Sequence, residues 1–272
     1  MVATTPEFFA RLFRGDRYRF EFGVRRGDLR WFVPGADPAN LAERARWLGQ
    51  TEIPSAHWTP AAEPVFAEAM ELFPPVMRPS AESGLASLAK FSAGWEPDFV
   101  LLRRHEDGEF RMVGGAVCFA SWWAPETKLG LTIDQIHEPV PMLNADLGPR
   151  IRTFLGRLPA DQVFERENWG LAATPERNLH PLRRQPRLTA DATPDRVWLR
   201  VEHQAFRALP RSGGMLFIIH LTVHPLTEVL RDPVVRESFR QMLESMPEPI
   251  ADYKGIQPAR GPLLASLAIA GV

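Results

Sequence analysis

The chain has 272 residues, of which 45% are hydrophobic and 24% charged, with a formal net charge of -1. This composition is typical of a globular protein and excludes a disordered one, and the near-zero charge gives no drive toward nucleic acid or an anionic membrane. No stretch reaches the ~20 apolar residues that span a bilayer. The single cysteine, Cys118, cannot form an internal disulfide, which fits a reducing compartment. We expect one cytoplasmic domain over residues 1–272.

The first third of the chain has mostly helical periodicity. Residues 37–50 begin with Asp37 as a cap and Pro38 at the first helical position, with apolar residues recurring on one face, a pattern that predicts a helix. Residues 60–73 and 79–91 predict two further short helices.

From about residue 98 to residue 225 the pattern predicts strands. Two apolar runs flank the turn His105-Glu106-Asp107-Gly108, and Asp-Gly between such runs is a strong hairpin signal. We place Cys118 inside the second of these strands, where a thiol behaves as a small hydrophobe.

A second hairpin is predicted around the loop Pro-Arg-Ser-Gly-Gly, residues 210–214. If this loop is centred between Arg211 and Ser212, His203 falls opposite His220, and the two point to the same face.

Three further elements complete the predicted order. These are a helix over residues 145–158, a strand over 162–171 and a C-terminal helix over 227–246 that is interrupted or kinked at Pro233. The apolar residues 261–272 suggest a tail packed on the surface or at an oligomer contact. Antiparallel hairpins with helices before and between them predict an α+β fold, and no phosphate-binding glycine loop is present.

Histidines are the first candidates for metal ligands. His220 and His224 have zinc-like spacing, but four residues of a strand span ~13 Å, too far for joint chelation. His137 lies in the segment Ile-Asp-Gln-Ile-His-Glu-Pro-Val-Pro. Pro139 and Pro141 predict a stiff, extended loop there, from which the imidazole projects at a fixed angle.

Two strands carry unusually polar faces. In the predicted strand over residues 162–171, Arg166 and Asn168 share one face and Glu167 and Trp169 share the other. A buried salt bridge with a core tryptophan explains this segment as well as a pocket wall with an arginine for an anionic group does. In the first strand of the second hairpin, alternation puts three polar residues on one face, which is either solvent-exposed or serves a ligand: Arg200, Glu202 and Gln204.

These segments, taken in order, resemble a known family. The succession runs from Gly-Gly-Ala-Val-Cys-Phe-Ala-Ser-Trp-Trp through His-Glu-Pro-Val-Pro, Arg-Glu-Asn-Trp and the second hairpin to Asp-Tyr-Lys-Gly. It is similar to the haem-binding alpha subunit of the heme-dependent oxidative N-demethylases, from about Tyr18 to Gly255. The resemblance implies a PAS-like fold, a curled antiparallel β-sheet with flanking helices that encloses haem b.

The resemblance also implies roles for particular residues. His137 matches the family's histidine-proline element and is the expected axial ligand of the haem iron. Arg166 and Arg200 match family arginines and are expected to pair with the haem propionates. The other side chains expected at the haem are Asn168, Trp169 and His220.

The implied reaction is oxidation of a small secondary methylamine with O2, with Glu167 or Glu202 binding the ammonium or relaying protons. Electrons would come from flavin and iron–sulfur reductase subunits. His203 and His220 stand where family members often have arginine, and Thr222 stands where they have tyrosine, so the substrate or the turnover is expected to differ. Two alternatives stay open: a haem-based PAS-like sensor, and a non-catalytic protein that binds haem or another small molecule.

Overall fold

The computed structural model describes residues 5–19, 22–79 and 84–269. The described residues form one seven-stranded sheet in which every pairing between strands is antiparallel. Its strands are β1 (Arg25–Arg26), β2 (Ala56–Trp58), β3 (Asp98–Arg104), β4 (Phe110–Ala116), β5 (Val163–Ala172), β6 (Trp198–Leu209) and β7 (Gly214–Pro225). Their order across the sheet is β1-β5-β6-β7-β3-β4-β2.

Ten α-helices of the described residues surround the sheet. They are α1 (Pro6–Leu12), α2 (Pro38–Leu48), α3 (Glu63–Met70), α4 (Leu85–Ala93), α5 (Ile133–His137), α6 (Leu143–Gly156), α7 (Leu226–Val229), α8 (Pro233–Ser245), α9 (Glu248–Tyr253) and α10 (Gln257–Ile269). The predicted α+β class is confirmed. None of these helices is both long enough and apolar enough to cross a membrane.

The second hairpin has the predicted register, with His203 directly opposite His220. The first hairpin is shorter than predicted, because β4 ends at Ala116 and leaves Cys118 outside the strand. The reason is a buried carboxylate: the backbone N–H groups of Cys118 and Phe119 donate to the two oxygens of Asp98, at 2.8 and 2.9 Å. These amides are therefore taken by a side chain and not by a neighbouring strand.

Two of the predicted helices differ in extent from those observed. The helix expected over residues 79–91 is observed as α4, which begins at Leu85, and residues 80–83 lie outside the described part of the chain. The helix expected over 227–246 is two helices, α7 and α8. Asp232 caps α8 by accepting from the amides of Val234 and Val235, and Pro233 begins the new helix, where no N–H is needed.

The apolar C-terminal segment belongs to the protein core as far as it is described. It forms most of α10, in which Leu263 and Leu267 are buried against α8 and α9; residues 270–272 are outside the described chain. Burial within the chain accounts for the apolar character of this segment. The expected oligomer stays a prediction.

Helices cover the two faces of the sheet with different partners. On one face, α3 and α4 pack with Phe99, Leu101 and Ile218 of the central strands. On the other face, α5 and α6 pack with Val100, Leu102 and further residues of β4 and β7. The candidate site lies on the second of these faces.

Candidate functional site

Strand pairing divides the predicted site residues between the two faces of the sheet. Arg166 pairs with Gln204, Asn168 with Glu202 and Gly170 with Arg200 across β5 and β6. Because paired residues share a face, one face carries Arg166, Asn168, Arg200, Glu202 and Gln204, and we call it the site face. The other, here the opposite face, carries Glu167, Trp169, His203 and His220.

His137 faces the interior beside the site face. It is the last residue of α5, so the predicted extended loop is wrong: Thr132 and Gln135 form a capping box that starts a short helix, and the prolines follow that helix. Burial and the nearby charge of Arg166 lower the pKa of His137 to about 4, which keeps the ring neutral at pH 7. Its Nδ1 atom is buried and has no hydrogen-bond partner among the described residues.

Arg166 is the cation on the site face whose charge acts on His137. Its side chain makes no hydrogen bond or ion pair with a described residue, and its Nε atom is buried. Burial lowers the pKa of Arg166, with the charge of Glu202 acting in the other direction. The side chain is half-buried, and of its nitrogens only Nε is buried without a partner. The outer guanidinium nitrogens can therefore bind an anionic group that the described residues do not supply.

An apolar wall stands next to these polar groups. The rings of Phe206 and Phe217, from β6 and β7, stack with centroids 4.9 Å apart and an interplanar angle of 22°. Both are only half-buried although they lie on central strands. Three half-buried apolar residues of α5 and α6 complete the wall: Ile136, Leu143 and Phe154.

There is open space on the site face above β5. A Cβ atom added to Gly170 would point to this face and would meet no atom within 4 Å. Gly170 lies two residues from Asn168, so the open space adjoins the polar end of the site face.

Glu202 is the centre of a hydrogen-bonded cluster. Gln204 Nε2 donates to its Oε2 atom at 2.9 Å, and Asn168 Nδ2 donates to the same atom at 3.3 Å. The Oε1 atom accepts no hydrogen bond from a described residue. One oxygen of this carboxylate is therefore available to a cationic or hydrogen-bond-donating ligand.

Lys254 joins this cluster from the end of α9. Its Nζ atom donates to the Trp169 carbonyl oxygen at 2.6 Å and lies 3.4 Å from Asn168 Oδ1. Burial lowers the pKa of Lys254 to about 8, so the ammonium form prevails at pH 7. No local sequence pattern links this lysine to the site, because 86 positions separate it from Asn168; its signal in the sequence is its place in the Asp-Tyr-Lys-Gly element.

Arg200 is buried on the site face but is engaged by the protein. Its Nη1 atom donates to the Glu176 carbonyl, and its Nη2 atom donates to the Arg177 carbonyl and to Ser121 Oγ, at 2.8, 2.8 and 3.1 Å. These bonds tie two loops to the sheet. Only Nε is buried without a partner, and burial lowers the pKa of Arg200 to about 10.

On the opposite face, Glu167 and Trp169 have partners of their own. Both oxygens of Glu167 accept from the guanidinium of Arg25, at 2.7 and 2.5 Å. The Trp169 ring packs against Phe13 and Phe239 in the core formed with α1 and α8. Glu167 and Trp169 therefore match the first of the two interpretations of this strand, an ion pair with a core tryptophan, and not a pocket wall.

The two histidines of the second hairpin also lie on the opposite face. His220 Nε2 lies 3.4 Å from Glu96 Oε2, and that contact lowers the pKa of Glu96 to about 2. His203 Nε2 lies 3.1 Å from Thr222 Oγ1, and burial lowers the pKa of His203 to about 3. The sheet therefore separates His220 from His137 and Arg166.

Comparison with known proteins identifies the family. Residues 69–264 match the family described as haem-dependent oxidative N-demethylase, alpha subunit-like. The chain belongs to this family. Its name implies haem dependence and an N-demethylase-like oxidoreductase activity, and the words alpha subunit-like suggest partners in a multi-subunit assembly. The match includes α5, β5, β6, β7 and Lys254, and thus the whole site face.

The residues of the site face fit the group that the family name implies. A neutral imidazole is a common haem-iron ligand, and an unpaired guanidinium suits a propionate carboxylate. Stacked, half-buried aromatic rings offer a flat apolar surface to a porphyrin, which is itself flat and apolar. His137, Arg166, Phe206 and Phe217 supply these three features. No group of three or more His, Cys, Asp or Glu side chains suited to a bare metal ion is found in the described chain.

A separate cleft of about 690 Å³ lies at the tip of the first hairpin. It is lined by charged side chains: Arg103, Arg104, His105, Glu106, Asp107 and Arg111. Such a lining lacks the apolar walls that a porphyrin requires. The site face is therefore the better candidate for the haem site that the family name implies.

Proposed function

We propose that the chain binds haem b on the site face and catalyses oxidative N-demethylation of a small secondary methylamine with O2. The observation that carries the proposal is that the charge of Arg166, which has no bonded partner among the described residues, acts on the neutral imidazole of His137 on the face that carries the apolar wall. We further propose that the fold is PAS-like and that residues 1–272 form one cytoplasmic haem-binding domain.

In this proposal the side chains around the haem have distinct tasks. His137 would coordinate the iron, since its lowered pKa leaves a ring nitrogen lone pair available at pH 7. Arg166 would bind a propionate. The bound haem would supply activation of O2 for oxidation of an N-methyl group, which no amino acid side chain provides. Phe206 and Phe217 would exclude water from the porphyrin.

Glu202 is the proposed amine-binding residue. A secondary alkylamine is an ammonium ion at neutral pH, and Oε1 is free to accept one of its N–H groups in a charge-assisted hydrogen bond. Glu202 could also hold the proton that the ammonium must lose before oxidation at nitrogen or at the adjacent carbon. Glu167, the other carboxylate considered, is already paired with Arg25 on the opposite face.

The overall conversion balances with an external electron donor. Dimethylamine, O2, two electrons and two protons give methylamine, formaldehyde and water. We propose that flavin and iron–sulfur partner subunits supply the electrons, since the single cysteine of this chain cannot hold a cluster that needs four thiolates.

The test is turnover of the haem-loaded chain with dimethylamine, O2 and a chemical reductant. Formaldehyde and methylamine should appear in equal amounts and only when all three are supplied. Haem binding without either product, across a panel of secondary methylamines, would contradict the enzyme and favour the haem-based sensor.

A further inference from the structure

Lys254 reaches the sheet at the edge of β5. Strand β1 pairs only with Phe164 and Glu165, so the later part of β5 has no neighbouring strand on that side in the described chain. Lys254 Nζ donates to the Trp169 carbonyl oxygen at this edge. The bond holds the ammonium at a fixed place, from which it also reaches the site face.

At that place the ammonium determines how the Asn168 amide is oriented. An ammonium group only donates hydrogen bonds, so the Asn168 atom that faces it must be the oxygen. Oδ1 lies 3.4 Å from Nζ, and the amide nitrogen is consequently turned toward Glu202. The reverse orientation would put an N–H group against the ammonium and an oxygen against the Glu202 carboxylate, and both contacts are repulsive.

The orientation of Asn168 decides which oxygen of Glu202 is free. With the amide nitrogen toward Glu202, Asn168 and Gln204 both donate to Oε2. Two donors on one oxygen fix the carboxylate plane and leave Oε1 without a bond from the described residues. A rotated amide would remove one donor and allow the carboxylate to turn.

We propose that Lys254 is a positioning residue of the amine site, which acts through Asn168 to present Glu202 Oε1 to an alkylammonium ion. This inference rests on the proposed role of Glu202. The inference goes beyond what the family name implies. Lys254 must be present next to a site that binds a cation, because it orients the neutral Asn168 amide and does not itself contact the substrate.

A double-mutant cycle tests the proposal on the purified full chain. Dimethylammonium chloride is titrated calorimetrically at pH 7 into the wild type, Lys254→Met, Asn168→Ala and the double variant. We expect each single variant to raise Kd about tenfold, and the double variant to bind no more weakly than Asn168→Ala, since coupled residues are not additive. Unchanged binding in Lys254→Met, or losses that add in the double variant, would overturn the proposal.

Glu202→Gln, together with Asn168→Ala, separates this proposal from the one on which it rests. Asn168→Ala retains the bond from Lys254 to Trp169, so its weakened binding cannot come from a detached α9. Equal binding by the wild type and Glu202→Gln would overturn both the role of Glu202 and that of Lys254. Weaker binding by Glu202→Gln with normal binding by Lys254→Met would overturn the Lys254 role alone.

Discussion

Asn168 and Glu202 face each other across β5 and β6, and the Asn168 amide donates to Glu202 Oε2 at 3.3 Å. The contact places a carboxylate with one free oxygen on the same face as Arg166. Glu167, the other carboxylate considered for substrate binding, lies on the opposite face, so the sheet separates it from Glu202.

Glu202→Gln should weaken dimethylammonium binding at least tenfold. The change keeps the size of the side chain but removes the charge, and hydrogen bonds to charged groups contribute about 1.5–3 kcal/mol. Calorimetric titration measures the effect. Glu167→Gln is the matched control: it should leave amine binding unchanged, and a comparable loss there would contradict the assignment of the two carboxylates.

Arg166→Met should lower haem affinity, whereas Arg200→Met should lower the stability of the haem-free protein. Arg166 has no bonded partner in the described chain, so its replacement should weaken haem binding about tenfold without lowering the stability of the haem-free protein. Arg200 makes three hydrogen bonds, and its loss should cost about 2–3 kcal/mol of unfolding free energy. Haem titration and urea unfolding measure these effects. The reverse pattern would mean that Arg200 is the propionate partner.

Asp98→Asn should be strongly destabilising. Asp98 forms a buried ion pair with Arg44 at 2.6 Å and accepts two backbone N–H groups after β4. Losing its charge leaves the buried Arg44 uncompensated, which typically costs about 3–5 kcal/mol. Urea unfolding is the measurement, and Asp16→Asn, in an exposed pair with Arg19, should change stability by less than about 1 kcal/mol. Equal losses of unfolding free energy in the two variants would contradict a larger contribution from the buried Asp98–Arg44 pair.

Stability should fall as the pH falls below about 6.5, because His203 is buried in its neutral form. Its folded pKa is about 3, so between these values the unfolded chain binds a proton that the folded chain does not. As the pH falls, the unfolded state therefore binds this proton before the folded state does. The contribution of neutral His203 to the free energy of unfolding is complete above pH 6.5 and is lost as the pH approaches 3. His203→Gln cannot titrate and should lose less stability between pH 6.5 and pH 4.5 in urea unfolding. Identical losses in the two proteins would contradict this origin.

Strand alternation allowed part of the site to be predicted from the sequence. The period of two assigned Arg166 and Asn168 to one face of β5, and the loop over residues 210–214 set His203 opposite His220. Both rest on local geometry. The position of β5 next to β6, which brings Asn168 to Glu202, involves residues far apart in the sequence, and periodicity carries no information about it.

The remaining features depend on signals that are weak or distant. The capping box of Thr132 and Gln135 was present in the sequence, but the prolines after His137 favoured an extended loop, when in fact they only end α5. The contact of Lys254 with Asn168 joins the end of α9 to the sheet and has no local pattern. The sequence pattern alone also did not specify which helices cover which face.

The most direct test of the haem site is an absorption spectrum of the chain purified from haem-supplemented cells, before and after dithionite, for the wild type and His137→Ala. His105→Ala, in the exposed hairpin turn, controls for haem bound non-specifically by histidines. We predict a Soret band that shifts on reduction in the wild type and in His105→Ala, and that is lost in a folded His137→Ala. A Soret band unchanged in His137→Ala, or a wild type with no visible absorption after haem reconstitution, would contradict the proposed site.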